Sequence, residues 1–186
     1  VCIDMAEEQW EVLGSETVLD QPPFLRVTMQ KVRLPDGRVI KDWPIIDTRD
    51  YVNVVALNEA GEVMVIEGYK HGVGRSNWQV VGGYLEPGED PMSAVQRELL
   101  EETGYRSDDW QALGRFIVDV NRRTAVGHFY LARNAYFSQP PAYDDLEDIV
   151  VRWVSLDELR QAMMDGRVAG LSYAANIALA LIALGE

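Results

Sequence analysis

The stretch Arg97-Glu98-Leu99-Leu100-Glu101-Glu102-Thr103-Gly104 holds the residues best able to do chemistry in this chain. Glu98, Glu101 and Glu102 stand at i, i+3 and i+4, a spacing that stacks three carboxylates on one helix face. Gly104 suits the left-handed residue that ends such a helix. Two of the carboxylates therefore lie near the end where the helix dipole disfavours anions. Solvated carboxylates at this spacing repel by a few tenths of a kcal/mol per pair, and by several kcal/mol when partly desolvated. A divalent cation reverses the sign of that interaction. Carboxylate oxygens suit Mg²⁺ or Mn²⁺ rather than zinc. No nitrogen–sulfur cluster competes, because His71 and His128 are the two histidines and Cys2 the one cysteine. Taken alone, an E-x-x-E-E row also reads as an ordinary solvated helix face.

The elements that must position this row can be read outward from it. Pro91 suits the first turn of a helix that Gly104 ends. Before it, Trp78–Val81 reads as a short buried strand running into Gly82-Gly83, where the backbone turns sharply or approaches a ligand. Tyr51–Leu57 and Glu62–Tyr69 read as strands, with further strands near Trp110–Val120, Val126–Ala132 and Ile149–Val154. Ser155 with Glu158 resembles a capping box for a helix over Leu156–Met164, and Leu171–Leu184 reads as a last amphipathic helix. Phe24–Leu34 and Arg38–Ile46 flank the turn Pro35-Asp36-Gly37 and predict a hairpin. The mixture lacks regular βαβ alternation, which points to α/β architecture with a mixed sheet. The expected division is 1–46 as an N-terminal hairpin element and 47–186 as the main domain.

The chain has 186 residues, a formal net charge of −13 and 47% hydrophobic residues. That composition is globular, and the charge argues against nucleic-acid binding by a broad basic surface. The single cysteine excludes a disulfide within the chain and fits a reducing compartment. The start, VCIDMAEEQW, lacks the features of a secretory signal, and the apolar run near Ile177–Leu184 is too short to span a bilayer. A soluble cytoplasmic protein with no membrane partner is expected.

Gly83, Glu89, Arg97, Glu98, Leu99, Glu101, Glu102, Gly104 and Tyr105 together resemble the box of the Nudix hydrolase family, G-x5-E-x7-R-E-U-x-E-E-x-G-U, with U bulky and apolar. Every position matches; Tyr105 stands where an aliphatic residue is usual. The resemblance implies an α/β/α sandwich and hydrolysis of a nucleoside diphosphate linked to another moiety, with Mg²⁺ or Mn²⁺ as cofactor. It implies Glu98 and Glu102 as metal ligands, Glu101 beside them, and the Gly82 and Gly83 carbonyls as candidates for a further ligand. Arg97 would orient the glutamates by ion pairing. Glu89 would be a peripheral ligand or a structural partner.

The flanks resemble the ADP-ribose pyrophosphatase branch, through Glu67-Gly68-Tyr69-Lys70-His71-Gly72-Val73 and Trp78-Gln79-Val80-Val81-Gly82-Gly83. That resemblance implies a homodimer through the N-terminal hairpin, which closes the site from the partner subunit and can stack an aromatic residue on adenine. Trp43 is the best match and Phe24 the weaker; both also read as core or interface aromatics. Lys70 stands where the branch has an arginine. Gln79 and Val81-Gly82 depart from the branch pattern, and no proline follows the box near Val118–Arg123, so a different nucleotide sugar stays open. Arg122 and Arg123 could clamp a phosphate or sugar, or be solvated. In this branch an acidic loop before the last strand can supply the general base, and Tyr143–Asp148 reads either as that loop or as a plain acidic surface loop. Glu147 is the first candidate here and Asp145 the second. A dinucleotide or damaged nucleotide as substrate, and a non-catalytic ligand sensor, are the competing readings.

Overall fold

The computed structural model describes residues 9–142 and 149–186. Its contacts divide the chain into two compact units, 1–49 with 117–126, and 50–116 with 127–186.

In the first unit, β1 (Glu11–Gln21), β2 (Leu25–Arg33) and β3 (Val39–Asp47) form one antiparallel sheet in that order. The expected hairpin is β2–β3, closed by the Leu34–Gly37 turn. Strand β1 was not expected. Its apolar residues come in adjacent pairs, Val12-Leu13 and Val18-Leu19, which breaks the period of two. The structure gives the reason: the register of β1 on β2 shifts between Val12 and Gly14 and again between Thr17 and Leu19. Each bulge turns the following side chains to the other face. The 117–126 segment is tied to this unit by Ile46 N–H to Arg122 O and Thr48 N–H to Thr124 O, both 2.9 Å.

The second unit is built from β4 (Tyr51–Ala56), β5 (Val63–Lys70), β6 (Arg75–Gln79), β7 (Val81–Tyr84), α1 (Pro91–Thr103), β8 (Tyr105–Arg106), β9 (Asp109–Ile117), β10 (Val126–Arg133), β11 (Tyr136–Phe137), β12 (Ile149–Val154), α2 (Leu156–Asp165) and α3 (Leu171–Leu184). One sheet has the order β7-β4-β10-β9, parallel between β4 and β10 and antiparallel between β4 and β7. A second has the order β12-β5-β6, antiparallel throughout. The mixed-sheet α/β/α sandwich expected from the sequence is therefore present.

Strand β4 shows how the layers meet. Val52, Val54 and Ala56 face a cluster closed by Ala94, Val95 and Leu99 of α1. Val55 on the opposite face joins Leu159 of α2 and Ile177 of α3. Both faces are covered, so the strand reads as a near-continuous apolar run, broken at Asn53, rather than an alternating one. The single strand expected over Trp78–Val81 is in fact two, because Val80 separates β6 from β7 and the two belong to different sheets.

Helix α1 is fixed at both ends. Asp90 caps its start, accepting from Ser93 N–H at 3.0 Å. Gly104 ends it at φ 78° and donates to Leu100 O. Beyond it, Ser138 N–H bonds Gly104 O and Ala142 N–H bonds Glu101 O, both at 2.9 Å. The 138–142 segment thus satisfies carbonyls that a helix end leaves unpaired. A Cβ on Gly104 would lie 2.0 Å from Gln139 O, at a φ that side chains avoid. Gly104→Ala should therefore cost about 2 kcal/mol or more and lower Tm by roughly 4–8 °C in thermal unfolding.

Candidate active site

The carboxylate row is organised around Arg97. Its Nε and Nη2 donate to the two oxygens of Glu89 at 2.9 and 3.1 Å. Its Nη1 donates to Glu98 Oε1 at 2.8 Å and to Glu101 Oε2 at 3.0 Å. The planar guanidinium offers five donors in a fixed fork, enough to serve three carboxylates at once. The Glu98 side chain is 13% exposed and that of Glu89 16%, whereas Glu101 is 48% exposed. The Glu101 contact is thus the weakest of the three, because solvent screens it. The hydrogen bonds Arg97 donates to Glu89, with help from Glu101 and Glu98, hold it firmly in its charged form. Burial nonetheless pushes the Glu98 carboxyl above its ordinary range, and Arg97 only partly offsets this. One ion pair thus favours the charge on Arg97 while leaving Glu98 under-compensated, because the guanidinium has several partners and the buried carboxylate has lost its water.

Across from the helix lies the glycine pair of β7, an outer strand of its sheet. A Cβ on Gly83 would sit 2.2 Å from Glu98 Oε1, so the carboxylate occupies the space a side chain would fill. Gly82 pairs with Asn53 of β4. Its N–H points away from β4 and reaches Glu102 Oε2 at 3.3 Å. In an antiparallel ladder the N–H and C=O of one residue point to the same side. The Gly82 carbonyl therefore also points off the free edge, towards the glutamates, while Gly83 turns its own backbone groups to β4. Asn53, which sequence reading missed, is 3% exposed and lies under Gly82. An asparagine inside an apolar strand pattern was the signal for it.

Among the described residues, no three acidic, histidine or cysteine side chains converge as a ready cation cage; Glu98 and Glu101 are turned to Arg97, and Glu102 to Gly82 N–H. Their chemistry still fits a hard divalent ion. A buried, under-compensated carboxylate at Glu98, a second carboxylate at Glu102 and an edge-facing Gly82 carbonyl are all oxygen donors.

The structure places Glu98, Glu101, Glu102, Arg97, Gly82 and Gly83 together in the second unit. Lys70 ends β5 in the same unit, opposite Arg75. Trp43, Phe24, Arg122 and Arg123 belong to the first unit. There Trp43 Nε1 donates to Asn121 O at 3.1 Å, next to the two arginines, and its ring meets Trp10 edge-on at 5.1 Å. Arg122 pairs with Asp119 at 3.0 Å. Phe24 is 72% exposed, so it is not a core residue of its own unit. Glu147 and Asp145 lie outside the described residues.

The NUDIX domain family model matches residues 47–172. This chain belongs to the Nudix family. It is a Nudix hydrolase, and enzymes of this family generally use divalent metal ions. A second model, the nucleoside diphosphate sugar hydrolase N-terminal domain, matches residues 10–46. An ADP-ribose pyrophosphatase of Mycobacterium tuberculosis is 28% identical over 172 residues, covering 88% of this chain and 79% of that protein. A CMP-5'-(N-acetyl-N-hydroxy-3-aminopropyl)phosphonate hydrolase of Streptomyces rubellomurinus is 26% identical over 170 residues, covering 91% and 81%. A crystal structure of an ADP compounds hydrolase superposes with a TM-score of 0.82 at 18% identity, covering 95% of each chain, and supports the fold. No helix among the described residues of this hydrolase is long and apolar enough to cross a membrane.

The two glycines should respond differently to alanine. At Gly83 the new methyl meets the end of a flexible side chain, whereas at Gly82 it meets Val52 O and Asn53 Oδ1, both at 2.3 Å. Gly83→Ala should displace Glu98, leave Tm within about 3 °C of wild type, and cut metal-dependent hydrolysis at least tenfold. Gly82→Ala should instead lower Tm by roughly 5 °C or more. Thermal unfolding and turnover measured on both variants check this.

Proposed function

We propose that this Nudix hydrolase cleaves the diphosphate of ADP-ribose or a related nucleoside diphosphate sugar, releasing a nucleoside monophosphate and a sugar phosphate. The observation that carries the proposal is the intact carboxylate row seated against the Gly82–Gly83 edge, with Arg97 holding its charges together. The mycobacterial relative's name and the match at residues 10–46 support the substrate class.

Glu98 and Glu102, with the Gly82 carbonyl, would hold Mg²⁺ or Mn²⁺, and Glu101 would stand close by. Bound there, the ion supplies charge neutralisation of the phosphoryl oxygens and a lowered pKa of bound water. Arg97 would orient Glu98 and Glu101 through its ion pairs to both. Glu147, with Asp145 as second choice, is proposed as the base that takes the proton of the attacking water. Lys70 is proposed to meet a phosphate, and Trp43 of a second copy of the chain to meet the base, with Phe24 as the weaker aromatic candidate. Arg122 and Arg123 would serve the distal phosphate or sugar.

A substrate panel of diphosphate-linked sugars, dinucleotides and oxidised nucleotides, run with each metal, tests the reading. Turnover should be highest for a diphosphate-linked sugar, with the monophosphate and the sugar phosphate as products. No turnover of any such sugar would overturn the substrate assignment. Glu102→Gln should lower the rate at least about a hundredfold without unfolding the protein. A non-catalytic sensor would bind ligand and be indifferent to that change.

Residues 1–46 are proposed as a dimerisation element. Within the first unit, Val12, Val18, Phe24 and Val39 are exposed, while Val32 is the one core residue of the sheet. A sheet with so much uncovered apolar surface suits a second copy of the chain. The full chain should sediment at twice its 21.0 kDa mass. A version truncated before Asp50 that still sediments as a dimer would refute the assignment.

A further inference from the structure

A cavity of about 360 Å³ opens on a flank of α1 that the carboxylate row does not use. Gln96 and Leu100 line it. Gln96 and Glu98 are two residues apart, roughly 200° around a helix axis, so the cavity and the row lie on different sides of the helix. Arg97 reaches both.

The chemistry of the walls is specific. The chain carries a net charge of −13, and most of its arginines sit in ion pairs. Arg106 lines the cavity and is exposed, and while its backbone pairs with Tyr136, its guanidinium has no hydrogen bond or ion pair among the described residues. An uncommitted guanidinium in an acidic protein is a local docking point for phosphate. Beside it stand two aromatic rings. Trp110 spends its indole N–H on Ser107 O at 2.7 Å, leaving its ring as an apolar wall. Tyr136 is 46% exposed, and its hydroxyl donates to Asp108 Oδ2 at 3.4 Å. Asp108 is thus a carboxylate acceptor at the mouth, suited to a sugar hydroxyl or an exocyclic amine.

We propose that this cavity is a second binding site, for a nucleoside monophosphate, with the phosphate on Arg106 and the base against Trp110 and Tyr136. The volume is at the low end for ligand pockets, which suits a mononucleotide rather than a diphosphate-linked pair. The assignment stands whether or not the substrate proposed above is correct. Because Arg97 borders the cavity, its occupant would lie next to the group that holds Glu98 and Glu89.

The test is calorimetric titration of the full chain with AMP in the presence of a metal chelator. The expected result is saturable binding in the range of about 0.1–1 mM. Arg106→Gln and Tyr136→Ala should each weaken it about tenfold with the thermal transition preserved, and Glu102→Gln should leave it unchanged. Adenosine and inorganic phosphate should each bind more weakly than AMP, since each uses one end of the site. No binding up to about 10 mM overturns the proposal. So does wild-type affinity in Arg106→Gln, loss of binding in Glu102→Gln, or inorganic phosphate binding as well as AMP.

Discussion

The rest of the site depends on one guanidinium. Glu89, Glu98 and Glu101 crowd a helix face and the loop before it, and two of these carboxylates are largely removed from water. Without Arg97 that arrangement would leave buried charges unpaired, which is strongly destabilising. With it, three carboxylates share one rigid set of donors. The compensation is incomplete at Glu98, which keeps a carboxyl that burial works to protonate. An ion site requires such a residual deficit, since affinity for a cation comes from charge the fold has not already neutralised.

The backbone opposite completes the logic. Glycine at position 83 makes room for the Glu98 carboxylate, and glycine at position 82 lets β7 press against Asn53 and Val52. Because β7 is an outer strand, alternate backbone groups are unpaired by the sheet and turn towards the helix. The helix in turn is held by its Asp90 cap and by the 138–142 segment bonded to its last carbonyls. Site geometry and helix ends are thus one problem, solved by short-range hydrogen bonds on both sides of the row.

Much of this was legible in the linear order of residues. Local signals do not depend on the partner: Pro91 and Gly104 bound the helix, Ser155 and Glu158 start α2, and Pro35-Asp36-Gly37 turns the hairpin. Where the partner matters, the reading failed. The bulges in β1 erased its alternation. Residues Trp78–Val81 looked like one strand because their hydrophobicity is continuous, while the break at Val80 comes from assignment to two different sheets. Among the described residues, the two-residue strands β8 and β11 pair with each other, and they carry no periodic signal.

The sequence by itself determined the family, the carboxylate row and the helix that carries it, because these rest on residue types at fixed spacing along one element. It also marked Gly82-Gly83 as a place where backbone must come close to something. Only the tertiary structure decided what that something is, since it sets Glu98 over Gly83 and turns the Gly82 edge to Glu102. It alone reveals Asn53 beneath the glycines, and the cavity where Arg106, Trp110 and Tyr136 meet from separate strands. The physical reason is that spacing along a chain fixes neighbours within a helix or strand, whereas contacts across elements depend on how sheets and helices pack.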